Sequence, residues 1–220
     1  MTWIVHHGDC LDVLPTLPRV DAVVTDPPYG VVSRESSGLR SLDKGAADVA
    51  DFDIEAVADA LDRVTDASIY VWCSREQMSE WSRAFVDRGM TTRTGVWIKS
   101  NPSPMNGERF WLSSVELCVF ARKPLAPFFA RCASPDWRGP TEQVDGHPTP
   151  KPVWLMRKLI RASCAPGSTI LDPFCGSGST GVAALQEGMN FIGIEREAKY
   201  VDIARCRIAA EAAQGKLAFQ

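Results

Sequence analysis

A short β-branched run, Val20, Ala22, Val23, Val24 and Thr25, stops at Asp26-Pro27-Pro28-Tyr29. The run reads as a buried parallel strand, so the four residues after it stand at the strand's end. In open α/β sheets that edge is where ligands bind. The two prolines remove two backbone donors and fix two φ angles, which leaves the carbonyls of Asp26 and Pro27 stiff and without N–H partners in the segment. A carboxylate, a rigid carbonyl and a tyrosine ring are thereby held in one small space. The set suits a planar base whose exocyclic NH2 offers two hydrogens to two acceptors while its face stacks on the ring. The competing reading is a proline-rich turn with no further role.

The rest of the chain alternates strand and helix. Thr2 to His7 reads as a strand ended by Gly8-Asp9-Cys10, which leaves the Asp9 carboxylate at the same edge as Asp26. Leu11 to Leu17 is a short helical turn bounded by Pro15 and Pro18. Val57, Ala60, Leu61 and Val64 fall at helical spacing within 54–64, Ser68 to Cys73 is an apolar strand, and Gln77 to Arg88 is a helix stopped by Gly89. Thr92 to Lys99 and Val115 to Ala121 predict two further strands, a hairpin at one edge of the sheet. The segment 124–150 has no clear period and reads as irregular, with a helix following from Pro152 to Ser163. A loop of about 20 residues, 30–50, is long for a compact domain and is expected to be a mobile flap beside the site.

Near the C-terminus Thr169-Ile170-Leu171 runs into Asp172-Pro173-Phe174-Cys175-Gly176-Ser177-Gly178, followed by an Ala-rich helix and a strand that ends in Glu195. Gly176, Gly178 and Gly181 satisfy the dinucleotide fingerprint, and Glu195 lies where an acid could grip a ribose, so a NAD(P)-dependent oxidoreductase is a rival reading. The Asp172 carboxylate would repel a pyrophosphate but attract an ammonium group. An amino-acid-bearing nucleoside such as S-adenosylmethionine therefore suits the turn better.

Composition narrows the classes further. At 220 residues and 45% hydrophobic, the chain is long enough for one well-buried core, so a single domain, 1–220, is expected. No apolar run reaches the roughly 18 residues of a membrane span, and a soluble, cytoplasmic protein with no membrane partner is expected. Seven scattered cysteines without C-x-x-C spacing, with three histidines, argue against a disulfide scaffold or a metal site. The net charge is −3, yet between Arg93 and Arg161 eleven Lys/Arg face five Asp/Glu, +6 there and −9 elsewhere. A basic face on an acidic body leaves a nucleic-acid partner open.

Taken together, Gly8-Asp9-Cys10, Asp26 to Tyr29, Trp97-Ile98-Lys99, Glu116, the 147–152 segment, Asp172 to Gly178 and Gly193-Ile194-Glu195 through Tyr200 and Arg207 resemble the DNA methyltransferases that modify exocyclic amino groups. The order, D-P-P-Y ahead of the glycine turn, is that of the permuted beta group. The resemblance implies an α/β, Rossmann-like S-adenosylmethionine-dependent fold: a mostly parallel twisted sheet, helices on both faces and an antiparallel edge hairpin. It implies DNA as partner and methyl transfer to N6 of adenine in a flipped-out base, with N4 of cytosine as the alternative; Asp26 favours adenine, since a serine there is commoner among cytosine enzymes. A catalytically silent nucleic-acid-binding module is the third reading.

For the site, the resemblance assigns Asp26, Pro27, Pro28 and Tyr29 to the target base. It assigns Asp9, Cys10, Asp172, Phe174, Cys175, Gly176, Ser177, Gly178 and Glu195 to the cofactor, with His147, Thr149 and Lys151 closing over the cofactor tail. No metal is implied, and Cys175 reads as a packing residue. Two departures stand out: Pro150 replaces the glutamine usual in H-P-T-Q-K-P, and only 124–146 and the 30–50 loop are available for target recognition. A short site, relaxed specificity or a second copy of the chain in a homodimer must compensate.

Overall fold

The computed structural model describes residues 1–29, 52–104, 107–147 and 149–217. The segment 30–50, expected as a flap, lies outside them.

β1 (Trp3–His7) leads through the short α1 (Cys10–Val13) to β2 (Val20–Thr25). Then come α2 (Ile54–Val64), β3 (Thr65–Cys73), α3 (Met78–Asp87), β4 (Thr91–Lys99) and β5 (Val115–Arg122). The chain finishes with β6 (Asp136–Gly139), α4 (Val153–Ser163), β7 (Thr169–Asp172), α5 (Ser179–Gln186), β8 (Asn190–Glu195) and α6 (Ala198–Leu217). All eight strands form one sheet in the order β1-β8-β7-β2-β3-β5-β4-β6. Among the described strands only β5 runs against the others, antiparallel to both β3 and β4. The mostly parallel α/β architecture expected from the alternation is therefore present.

Period-2 alternation explains how one sheet serves two cores. Along β3, Ile69, Val71 and Cys73 pack with α1, α2 and α3, while Tyr70 and Trp72 pack with α4, α5 and α6. In β2, Val23 joins the first layer and Ala22 and Val24 the second. Few polar residues interrupt the run because both faces are covered.

The helices follow their patterns. Asp53 caps α2 by accepting the Ala56 N–H at 3.1 Å, and Val57, Leu61 and Val64 turn inward as their spacing predicts. α3 gives way at Gly89, whose φ of +79° suits glycine. α5 is buried on nearly every side, which its small alanines permit.

Two elements were not legible. β6 lies within the stretch read as irregular; it pairs parallel with β4 and extends the sheet one strand beyond the expected hairpin. Four residues, Asp-Trp-Arg-Gly, carry too little alternation to signal a strand. The anchor is Trp137, whose indole fills the space a side chain at Gly95 would take: a Cβ there would meet it at 2.5 Å. α6 was masked by its many alanines, though Val201, Ala204 and Ile208 are buried at helical spacing.

The windings part between β2 and β7: β2 leads through α2 to β3 on one side, β7 through α5 to β8 on the other. Doubly wound sheets bind ligands outside such a switch point.

Candidate active site

A cavity of about 830 Å³ opens at the C-terminal ends of the parallel strands, a volume in the range of small-molecule and cofactor sites. Asp26, Pro27, Pro28 and Tyr29 line it from β2. Asp9, Cys10, Asp172, Phe174, Cys175, Gly176, Ser177 and Glu195 line it from β1, β7 and β8, and His147, Thr149 and Lys151 from the segment ahead of α4. Of the sequence-predicted residues, Gly178 alone is not part of the wall.

On the β2 side the groups form one connected network. The Tyr29 hydroxyl donates to Asp26 Oδ1 at 2.8 Å, and the Lys151 ammonium donates to Asp26 Oδ2 and stands 3.2 Å from the Tyr29 hydroxyl. The same ammonium is 3.1 Å from Glu116 Oε2, whose other oxygen, Oε1, pairs with Lys99 at 2.6 Å. Gln77 Nε2 donates to the Pro28 carbonyl at 3.3 Å, holding the second proline from α3's side. Burial pushes the Asp26 carboxyl above its ordinary range, and Lys151 only partly offsets this. For Glu116 burial also acts upward, but the ammonium groups of Lys151 and Lys99 outweigh it and hold the carboxyl below its usual range. The Tyr29 phenol is pushed well up, by burial first and then by the neighbouring carboxylates.

Lys151, which the resemblance places over the cofactor tail, makes its polar contacts within the protein to Asp26, Tyr29 and Glu116. A single charge is more stable between two carboxylates than in an uncharged part of the same pocket. Glu116 and Lys99 match the family pattern, and each is a charge beside apolar residues at the paired ends of β4 and β5.

On the β7–β8 side the groups are fixed by backbone N–H donors and by the Thr25 hydroxyl. Asp172 Oδ1 accepts the Thr25 hydroxyl at 2.7 Å and the Phe174 N–H at 3.1 Å, so the acid at the end of β7 is tied to the last residue of β2. Burial raises its pKa to about 6, against the lowering effect of these bonds. Glu195 accepts the Gly176 N–H on Oε2 and the Glu197 N–H on Oε1, both at 2.8 Å; burial moves its pKa upward. Gly8 N–H donates to the Glu195 carbonyl at 3.0 Å, and Asp9 caps α1 through the Leu11 N–H at 2.9 Å. This carries the Asp9 loop alongside Glu195.

The three glycines differ in what they do. Gly176 has φ +51°, and a Cβ there would lie 3.1 Å from His147 Nε2, whose ring packs on Tyr200 with centroids 4.8 Å apart. Gly178, at φ +80°, opens α5, and a Cβ would come within 3.0 Å of Ala204 on α6. The expectation that Gly178 lines the cofactor is corrected accordingly: it permits close helix packing. Gly181 does the same against Ile208 and Phe191. Cys175 is a free, buried thiol whose pKa burial raises well above the ordinary value, which suits packing and not nucleophilic attack.

A doubly wound sheet with a glycine turn and a buried acid on one side of its switch point, and a carboxylate–tyrosine pair on the other, defines a group-transfer enzyme acting between a nucleoside-like ligand and a second substrate. The chain belongs to the DNA methylase family. It is 30% identical over 243 residues to the Type II methyltransferase M2.DpnII of Streptococcus pneumoniae, covering 94% of this chain and 90% of that one. Against the Type II methyltransferase M2.LlaDCHI of Lactococcus lactis subsp. cremoris it is again 30% identical, covering 96% and 91%. The family model described as DNA methylase, of the N6/N4 type, matches residues 108–205. Among solved structures, the M1.HpyAVI–SAM complex superposes with a TM-score of 0.75 at 26% identity, covering 94% of this chain and 99% of that one. The oxidoreductase and silent-module readings fall with this membership.

Proposed function

We propose that the protein transfers a methyl group from S-adenosylmethionine to the N6 amine of adenine in DNA, on a base turned out of the duplex. The observation that carries the reading is the pairing of Asp26 with Tyr29 across the β2–β7 switch point from the Gly176–Glu195 turn, within one cavity. The wall fits the cofactor: the Glu195 carboxylate, held by two backbone N–H groups, keeps lone pairs for ribose hydroxyls, and Gly176 lets the His147 ring close against the turn. Asp172 and Phe174 would stand by the methionine portion and Asp9 by the adenine amino group. When bound, S-adenosylmethionine supplies an electrophilic methyl group on a sulfonium.

The protein's own residues prepare the other partner. The adenine amine is a poor nucleophile because its lone pair is delocalised into the ring. Asp26 and the Pro27 carbonyl accept its two hydrogens and draw the lone pair out of conjugation, while Tyr29 stacks on the base. As the amine nitrogen gains the methyl carbon it must release one proton, and the Asp26 carboxylate is the anionic oxygen placed to take it before passing it to solvent. Turning the base out costs a few kcal/mol, partly returned by stacking.

DNA would be gripped mainly through phosphates, and a second copy of the chain would add recognition surface to so small a protein. The cytoplasm, where DNA and cofactor meet, is the expected location. The experiment is mass analysis of nucleosides from DNA incubated with protein and S-adenosylmethionine. N6-methyladenine is the expected product; N4-methylcytosine would overturn the choice of base, and no methylated base would overturn the reading.

A further inference from the structure

Asp26 has no idle oxygen. Oδ1 holds the Tyr29 hydroxyl and Oδ2 the Lys151 ammonium, and Lys151 is buried, with 8% of its side chain exposed. Each oxygen keeps another lone-pair direction, but a cation at hydrogen-bond distance competes with an incoming amine for it. The ammonium has a second carboxylate within 3.1 Å, on Glu116, and the Tyr29 and Trp72 rings flank it at 5.5 and 5.6 Å. Glu116 is itself anchored on its far side by Lys99. Cation and anion thus alternate from β4 to β2: Lys99, Glu116, Lys151, Asp26.

We propose that Lys151 is a positioning residue that shuttles between Asp26 and Glu116. With the cavity empty of a base it sits on Asp26, keeping that buried carboxylate ionised. When the target amine arrives, the ammonium gives up Oδ2 and rests on Glu116, which frees the acceptor without leaving a buried cation unpaired. The two flanking rings give the moving charge a favourable surface on either side. The shift also removes a positive charge from beside a nitrogen about to become cationic, which favours the transition state.

The other titratable groups near Asp26 leave this arrangement in control. Burial keeps the Cys73 thiol up at about 12 and the Cys118 thiol well above its usual value, so both are neutral. Asp172 lies across the switch point, held by Thr25 and the Phe174 N–H; the Asp26 charge adds a small upward push on it, after burial.

The inference rests on the reading that Asp26 accepts the target amine, and one set of variants separates the two. Single-turnover methylation of mixed-sequence DNA is followed against pH for the wild type, Asp26→Ala, Lys151→Met, Glu116→Gln and Lys99→Met, with S-adenosylhomocysteine binding measured on each. Lys151→Met removes the cation that keeps Asp26 ionised and should move the acid limb up by about one pH unit or more. Glu116→Gln gives the ammonium to Asp26 alone and removes a charge that pushes Asp26 up, so the limb moves down and the plateau rate falls, with cofactor affinity unchanged. Lys99→Met loosens Glu116 from its outer partner, draws Lys151 away from Asp26 and moves the limb up, less far; it keeps the test decisive if Lys151→Met does not fold. A purely structural role would lower rates without moving limbs in opposite directions, and that result overturns the inference. So does loss of S-adenosylhomocysteine binding in folded Lys151→Met, which would return Lys151 to the cofactor. Methylation surviving in Asp26→Ala would instead overturn the functional reading itself.

Discussion

Thr25 and Asp172 are joined by a 2.7 Å hydrogen bond between buried side chains at the ends of two adjacent strands. The bond crosses the line along which the sheet's two windings diverge, so the strand that delivers Asp26 and the strand that delivers the glycine turn are fixed relative to each other. A methyl transfer needs its two reactants held to within a few tenths of an ångström, and this is one contact that sets the spacing.

That acid carries a pH signature. Asp172 titrates at about 6 in the folded chain, above the roughly 3.9 of an unfolded aspartate, so its contribution is fully present below pH 4 and is lost as pH rises towards 6. Two units correspond to about 3 kcal/mol as an upper figure. Asp172→Asn, neutral at every pH, should gain stability relative to the wild type between pH 4 and pH 6 and hold a constant difference above. Urea denaturation at a series of pH values measures it; a difference independent of pH would refute the assignment.

Asp26→Ala and Tyr29→Ala are expected to abolish or severely reduce methylation while S-adenosylhomocysteine affinity stays within about twofold. Both side chains belong to the amine-facing group and neither touches the Gly176–Glu195 turn among the described contacts. Calorimetric titration of each variant checks it, and loss of cofactor binding in both would sink the division of the cavity.

Glu195→Ala should act in the reverse sense. It removes the acceptor of two backbone N–H groups and, with it, charge-assisted bonds to ribose of roughly 1.5–3 kcal/mol each. Cofactor affinity should fall by at least tenfold; an unchanged dissociation constant would put the ribose elsewhere.

DNA binding should be weak and salt-dependent, with fewer contributing cations than the sequence suggests. Of the eleven basic residues between Arg93 and Arg161, Lys99, Lys123, Lys151, Arg157 and Arg161 are engaged in ion pairs. Of the other six, Arg93, Arg109, Arg131, Arg138 and Lys158 are exposed, and Arg138 and Lys158, both acting on Asp136, lie together as a candidate site of phosphate contact. Replacing both with alanine should reduce the slope of log affinity against log salt by about 2, near one unit per lost phosphate contact. Fluorescence anisotropy across a salt series decides it, and an unaltered slope would remove this face from the interface.

The parts of the molecule that sequence made legible are those where a local signal and the fold agree. Val20 to Thr25 running into Asp26-Pro27 marked both a central strand and the site, because a doubly covered strand must be apolar and a proline pair must end it. Glu195 could be found from its place at the end of a strand after a glycine turn. The contact of Lys151 with Asp26 was not legible: the two are 125 residues apart, and no spacing rule reports which group in a cavity a flexible amine will pair with. Gly178 looks like a ligand contact for a related reason, since the fingerprint does not distinguish a backbone that approaches a cofactor from one that approaches another helix. β6 exists because Trp137 finds the hollow at Gly95, a contact between residues far apart in the chain.

The reversed direction of β5 has a bearing on where such a sheet tolerates change. Because β5 returns against β4, the chain between Lys99 and Val115 leaves and re-enters the sheet at the edge where the cavity opens, with Ser113 and Val115 on the cavity wall and Trp111 fully outside. A connection closed at that edge can be lengthened, shortened or exchanged while both strands keep their register. The sheet thus offers a graft point at the rim of the cavity, where the chain can change without rebuilding the frame beneath it.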